Sequence, residues 1–189
     1  MKKHTLVALA LTALSTNAFA DSDSAKIRIF GQNGASAKLY AGQSCTSGKS
    51  IKVSGSIGQA FGSFVGASKN ESIGIPETAT TQNLSDKNGI LSKAYYKEYE
   101  IPANQPSTVS LRFQDVSHFY KANGVQYSRR SPSCRGDVSF TAKPNANYEV
   151  GFSWDDDKCN LTINEVTATG TNQVAQTTPV EVRDVSDCD

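Results

Sequence analysis

Apolar and polar residues alternate in short runs along most of the chain, and this period of two restricts the possible folds more than any other feature. Successive side chains of a strand point to opposite faces, so each run offers one face to a core and the other to water. Lys26 to Phe30 sets Ile27 and Ile29 on one face, and beyond the turn residues Gly31 to Gly34, Ser36 to Tyr40 reads as its hairpin partner. Tyr95 to Ile101 sets Tyr95, Tyr99 and Ile101 against Tyr96, Glu98 and Glu100, and Pro102 to Pro106 ends the run. Val109, Leu111 and Phe113 repeat the signal, as do Val138 and Phe140, then Tyr148, Val150 and Phe152, then Leu161 and Ile163. Lys143 to Ala146 and Asp155 to Lys158 separate these runs with turn-forming residues. Short, regularly spaced strands with almost no helical periodicity predict an all-β fold, an antiparallel β-sandwich.

Two stretches break the pattern. Ser54 to Thr81, rich in glycine and small residues, predicts a long loop or a short helix. Thr169 to Asp189 is polar and predicts an extended C-terminal tail in which Val180 and Val182 mark a last strand. The remainder, residues 21–168, reads as a single sandwich domain.

The amino terminus predicts export. Lys2 and Lys3 precede a short apolar core from Thr5 to Leu14, and Ala18, Phe19 and Ala20 supply the small-x-small pattern of a signal-peptidase site. Residues 1–20 are the expected signal peptide, with cleavage after Ala20. The apolar run is too short for a permanent transmembrane helix, no later run is apolar enough for one, and no cysteine follows the cut to carry a lipid. The 19 Lys and Arg, two of them in the leader, against 18 Asp and Glu leave the mature chain within one charge of neutrality. That balance offers no electrostatic case for nucleic acid.

Cys45, Cys134, Cys159 and Cys188 make an even set in a chain bound for an oxidising compartment, which predicts two disulfides among three allowed pairings. Cys134 with Cys159 and Cys45 with Cys188 is the favoured pairing, the second tying the tail back to the first half. One objection stands against it. In a flat three-stranded meander over 137–166 the first two cysteines sit about 10 Å apart across the middle strand, beyond bridging range. The pair then requires the loop from Arg129 to Gly136 to fold over the end of that strand.

The run from Tyr96 to Pro106 (YKEYEIPANQP), the run from Cys134 to Phe152 (CRGDVSFTAKPNANYEVGF) and the run from Cys159 to Val166 (CNLTINEV) together resemble a pattern in small, uncharacterised proteobacterial exported proteins and lipoproteins. Ser72 to Thr78 (SIGIPET) resembles a further feature of that group. The resemblance implies an immunoglobulin-like or transthyretin-like sandwich in the envelope, and it brings no catalytic residues with it.

Chemistry-bearing residues are few. His118, in the run Asp115-Val-Ser-His118-Phe-Tyr120, is the one histidine beyond the leader. Its neighbour Ser117 points to the opposite face of a strand, so a triad would need a distant serine with Asp115 as orienter. Asp155, Asp156 and Asp157 with Asn160 offer oxygen atoms to calcium but lack the spacing and glycine of a calcium loop, and read as a solvated turn. They could serve hydrolysis of glycans only against an opposing carboxylate that the sequence does not reveal. One histidine and no CxxC give no metal site, and no cofactor motif occurs. Arg135-Gly136-Asp137 spells an integrin-type tripeptide, with Gly136 read as a turn before a strand opening at Asp137.

Two groups suggest contact with a partner. Arg129, Arg130 and Arg135, near Tyr120 and Tyr127, suit an anion or an acidic partner surface. Ile57, Phe61, Phe64 and Val65 fall at helical spacing beside Gly58, Gly62 and Gly66, which reads as a core-capping loop or short helix, a partner-contact surface, or a membrane-interacting segment. The sequence therefore predicts an exported, non-enzymatic protein that binds another protein in the envelope or outside the cell. The competing readings are a structural envelope or surface-appendage component and a small hydrolase using His118 or the Asp155 cluster.

Overall fold

The computed structural model describes residues 23–32, 34–54, 69–88, 93–114, 118–129, 133–155, 158–170 and 173–185, with backbone alone at 118–122, 126–129 and 154–155. The leader, Ile57, Phe61, Phe64, Asp115, Arg130 and Cys188 lie outside the described residues. Twelve strands are described: β1 (Ser24–Gly31), β2 (Ala35–Tyr40), β3 (Ile51–Lys52), β4 (Tyr95–Pro102), β5 (Pro106–Gln114), β6 (His118–Ala122), β7 (Val125–Arg129), β8 (Ser133–Thr141), β9 (Asn147–Asp155), β10 (Lys158–Thr167), β11 (Gln176–Pro179) and β12 (Arg183–Asp184). A single turn of helix, α1 (Ala79–Gln82), is held by a reciprocal cap between Thr78 and Thr81.

Sheet 1 runs β11-β10-β9-β1-β4, sheet 2 runs β12-β8-β5-β2-β3, and among the described residues β6 pairs only with β7. All pairings between the named strands are antiparallel except that of β1 with β9. The alternating residues meet between the sheets as expected: Ile27, Ile29, Leu39, Val109, Val138, Val150, Leu161 and Ile163 are all buried in one core. The Phe140 and Tyr148 rings meet edge to face across it, with centroids 5.0 Å apart. Phe152, read as inward, is 38% exposed at the end of β9.

The partners of the strands differ from the sequence reading. β1 and β2 do not form a hairpin: both edges of β1 are occupied, by β4 and by β9, so the chain leaves for the other sheet. Gly34, at φ +85°, makes that corner, and its carbonyl accepts the Gln114 amide of β5 at 2.9 Å. The turn after β4 crosses sheets in the same way, with Asn104 at φ 57° donating its amide to the Ala142 carbonyl at 2.8 Å. Nor is 137–166 a flat meander, because β8 belongs to sheet 2 while β9 and β10 belong to sheet 1. The predicted tail contributes edge strands to both sheets, and Val180 and Val182 lie between those strands, partly buried against the core. The sandwich thus extends through residue 185 instead of ending at 168.

Candidate functional site

Three surfaces of the sandwich carry polar or aromatic groups beyond the needs of the core: an arm at one end, a strap over sheet 1 and a groove beside the last strands.

The arm is the hairpin β6–β7. β5 and β8 pair out to Gln114 opposite Ser133, and the chain between them makes a second, smaller hairpin that joins neither sheet. Its turn is Asn123-Gly124, at φ 53° and 77°, the two left-handed residues required by a two-residue turn that matches strand twist. Val125, beside the turn, is 54% exposed, the most exposed large apolar residue among those described. The register sets His118 opposite Arg129 and Tyr120 opposite Tyr127, so the tyrosines and one arginine of the predicted contact group come together on the arm. His118 opens β6, and the residue across from it is the cation Arg129 instead of a carboxylate.

Arg135 sits at the base of the arm in β8, where its Nε pairs with Asp137 Oδ2 at 2.7 Å. The whole Arg135-Gly136-Asp137 run is therefore mid-strand, paired with Arg112, Leu111 and Ser110, and not a turn followed by a strand start. Gly136 serves a different purpose. A Cβ there would lie 3.4 Å from Leu161 Cβ and 3.5 Å from Cys159 Cβ on the facing sheet. This close approach lets Cys134 of β8 and Cys159 of β10 bridge the two sheets with Cα atoms 5.3 Å apart. The objection to this pair dissolves because the bridge joins sheets instead of strands of one sheet. Cys45 is also disulfide-bonded, and its favoured partner Cys188 lies outside the described residues.

The strap was not legible as a unit. Arg28, on the outward face of β1, is 1% exposed because the loop from Glu71 to Thr78 lies over it. Its guanidinium donates to Glu98 Oε1 from Nε (3.0 Å) and Nη2 (2.7 Å), to Glu149 Oε2 from Nη1 (2.9 Å), and to the Ile75 carbonyl (2.8 Å). Tyr96 stacks under it, 5.0 Å from ring centroid to Cζ. Glu98 Oε2 accepts the amides of Ile73 (2.7 Å), Gly74 (3.1 Å) and Ile75 (3.1 Å) and the Ser72 hydroxyl (2.9 Å). Three consecutive amides converge on one oxygen only because Gly74 adopts φ +101°. Burial pushes the Glu98 carboxyl up, but the Ile73 and Ile75 amides, Arg28 and Ser72 outweigh it and hold the group below its ordinary value. Thr78 Oγ1 donates to Glu149 Oε2 at 2.7 Å, which completes the network. The Glu98 and Glu149 carboxylates and the Arg28 guanidinium spend their hydrogen bonds on one another and on the strap, so the strap acts as a fastening.

An open groove of about 1090 Å³ lies along β11 and β12, lined by Phe140, Tyr148 and Val180 together with Lys143, Glu165 and Arg183. Lys143 and Glu165 pair at 2.7 Å, so two of its charges answer one another. Asp155 closes the β9–β10 hairpin opposite Lys158, while Asp156 and Asp157 lie outside the described residues. Among the described residues no three His, Cys, Asp or Glu side chains gather as metal ligands, and no helix is long and apolar enough to cross a membrane. No family model, curated protein or solved structure matches this chain.

Proposed function

We propose that this is an exported protein without enzymatic activity that binds another protein, in the envelope or outside the cell, through the arm β6–β7. The supporting observation is the arm itself. An isolated two-stranded hairpin is marginally stable in water, and among the described residues this one takes no backbone pairing from either sheet. Its sequence concentrates tyrosine and arginine, the residues most enriched where binding energy is concentrated. Such an arm adds little to the stability of the sandwich and is steadied by a partner's surface on contact.

Because β5 and β8 already pair to Gln114 and Ser133, residues 115–132 can be replaced by Asn-Gly with the ladder kept in register. The excised protein is expected to fold with an unchanged melting temperature and to lose a partner that the intact protein captures from an envelope extract, read by mass spectrometry. Undiminished capture by the folded, excised protein would overturn the assignment.

A further inference from the structure

We propose that the outer face of sheet 2 docks an acidic segment of that same protein partner, an inference that rests on the binding function assigned to the arm. Inward positions of the central strands are mostly apolar, and the outward ones bring cations into register. Lys38 of β2 lies directly opposite Lys52 of β3, and Arg112 of β5 directly opposite Arg135 of β8. Arg183 of β12 occupies the same face, opposite Ser139. Like charges directly across a sheet lower its stability, so their repetition on one face calls for an external counterpart.

Among the described residues, one carboxylate of this face is seen to pair with its cations. Asp137 answers Arg135 through Oδ2, yet the Arg135 side chain remains 48% exposed. Asp137 Oδ1 is buried without a hydrogen-bond partner among the described residues. No described carboxylate pairs with Lys38, Lys52, Arg112 or Arg183. The chain as a whole is nearly neutral, so the face is a segregated patch and not a reflection of composition.

A protein carboxylate fits this face better than a lipid surface does. Stable attachment to a bilayer takes buried apolar area as well as charge, and the outward positions beside these cations are Ser36, Ser110, Thr108, Ser139 and Asp137, with Tyr40 buried. Guanidinium forks match carboxylates in geometry. Arg112 and Arg135 stand one outward rank from Gln114 and Ser133, where the arm departs, so one partner can span both.

Poly-L-glutamate is the probe, titrated against the intact protein, the 115–132 excision and the double variant Lys38→Gln/Arg112→Gln, with phosphatidylglycerol vesicles in parallel. The intact and excised proteins are expected to bind polyglutamate in a salt-sensitive manner, and the double variant to bind it at least about tenfold more weakly. Its melting temperature should be unchanged or raised, since a like-charge opposition is relieved. Unaltered polyglutamate binding by the double variant, no binding by the intact protein, or binding to vesicles alone would overturn the proposal. Partner capture that survives arm excision while polyglutamate binding depends on Lys38 and Arg112 would sink the arm assignment and leave this face standing.

Discussion

The strap and the arm invert the usual relation between regular structure and rigidity. The strap, residues 71–78, is mostly irregular backbone, yet its amides, carbonyls and hydroxyls are bound into a buried charge network on sheet 1. The arm is regular, with five residue pairs in register and an Asn-Gly turn, yet among the described residues neither sheet pairs with it. Hydrogen bonding within a segment sets its shape. Tertiary partners set how firmly that shape is held.

Removing the centre of the strap network should produce the largest loss. Arg28→Met leaves Glu98 and Glu149 buried without their shared cation, a change that costs about 3–5 kcal/mol. Since domains of this size have about 5–15 kcal/mol in total, the variant should unfold at much lower urea concentration or fail to accumulate. A midpoint within error of the parent would show that the strap is not held through Arg28. Next in size is the bridge between sheets. Replacing Cys134 and Cys159 by alanine reopens a loop with 25 residues of separation, for which the chain model gives about 3 kcal/mol. The same urea titration measures it, and an unchanged midpoint would contradict the account.

Much of this contrast lay beyond the sequence, for identifiable reasons. Alternation correctly assigned the faces of Ile27, Ile29, Val109 and Ile163, because burial on one face leaves that imprint. It also correctly turned Arg28 and Glu98 away from the core. The outward face was then read as wet, since a period of two records which face a residue occupies and carries no information about what covers that face. The cover comes from residues 47 positions away in the chain and lacks any periodicity of its own. Strand partners differ from expectation for the same reason: alternation makes β1 and β2 resemble a hairpin and 137–166 a meander, whereas β1 pairs with β4 and β9, and β8 lies in the other sheet. Gly136 was read as turn chemistry when its missing side chain instead permits the sheets to converge. The arm did have a signal, Asn123-Gly124 between alternating residues, which is the strongest short-range hairpin mark.

Smaller perturbations sharpen the comparison. Gly74→Ala forces a side chain into φ +101° and should cost about 1–2 kcal/mol, whereas Gly124→Val, at φ +77° in the arm, should leave global stability within about 0.5 kcal/mol. Calorimetry of the pair decides it, and equal losses would erase the distinction. Acid should act on the strap through Glu98. The Glu98 carboxyl is held below its ordinary 4.5 in the fold, so its contribution is present above the unfolded value and is lost as pH falls through the lower, folded one. Glu98→Gln should be less stable at neutral pH and show a flatter decline below about pH 4. An acid profile identical to the parent's would assign the sensitivity to another group.

Native-state hydrogen exchange on the protein tests the contrast most directly. The Ile73, Gly74 and Ile75 amides, which donate to Glu98 from an irregular loop, are expected to exchange as slowly as amides of the central strands. The cross-strand amides of β6 and β7, although regularly paired, are expected to exchange at rates orders of magnitude faster, through local opening. Slow exchange in the arm, or fast exchange at Ile73 to Ile75, would contradict the account.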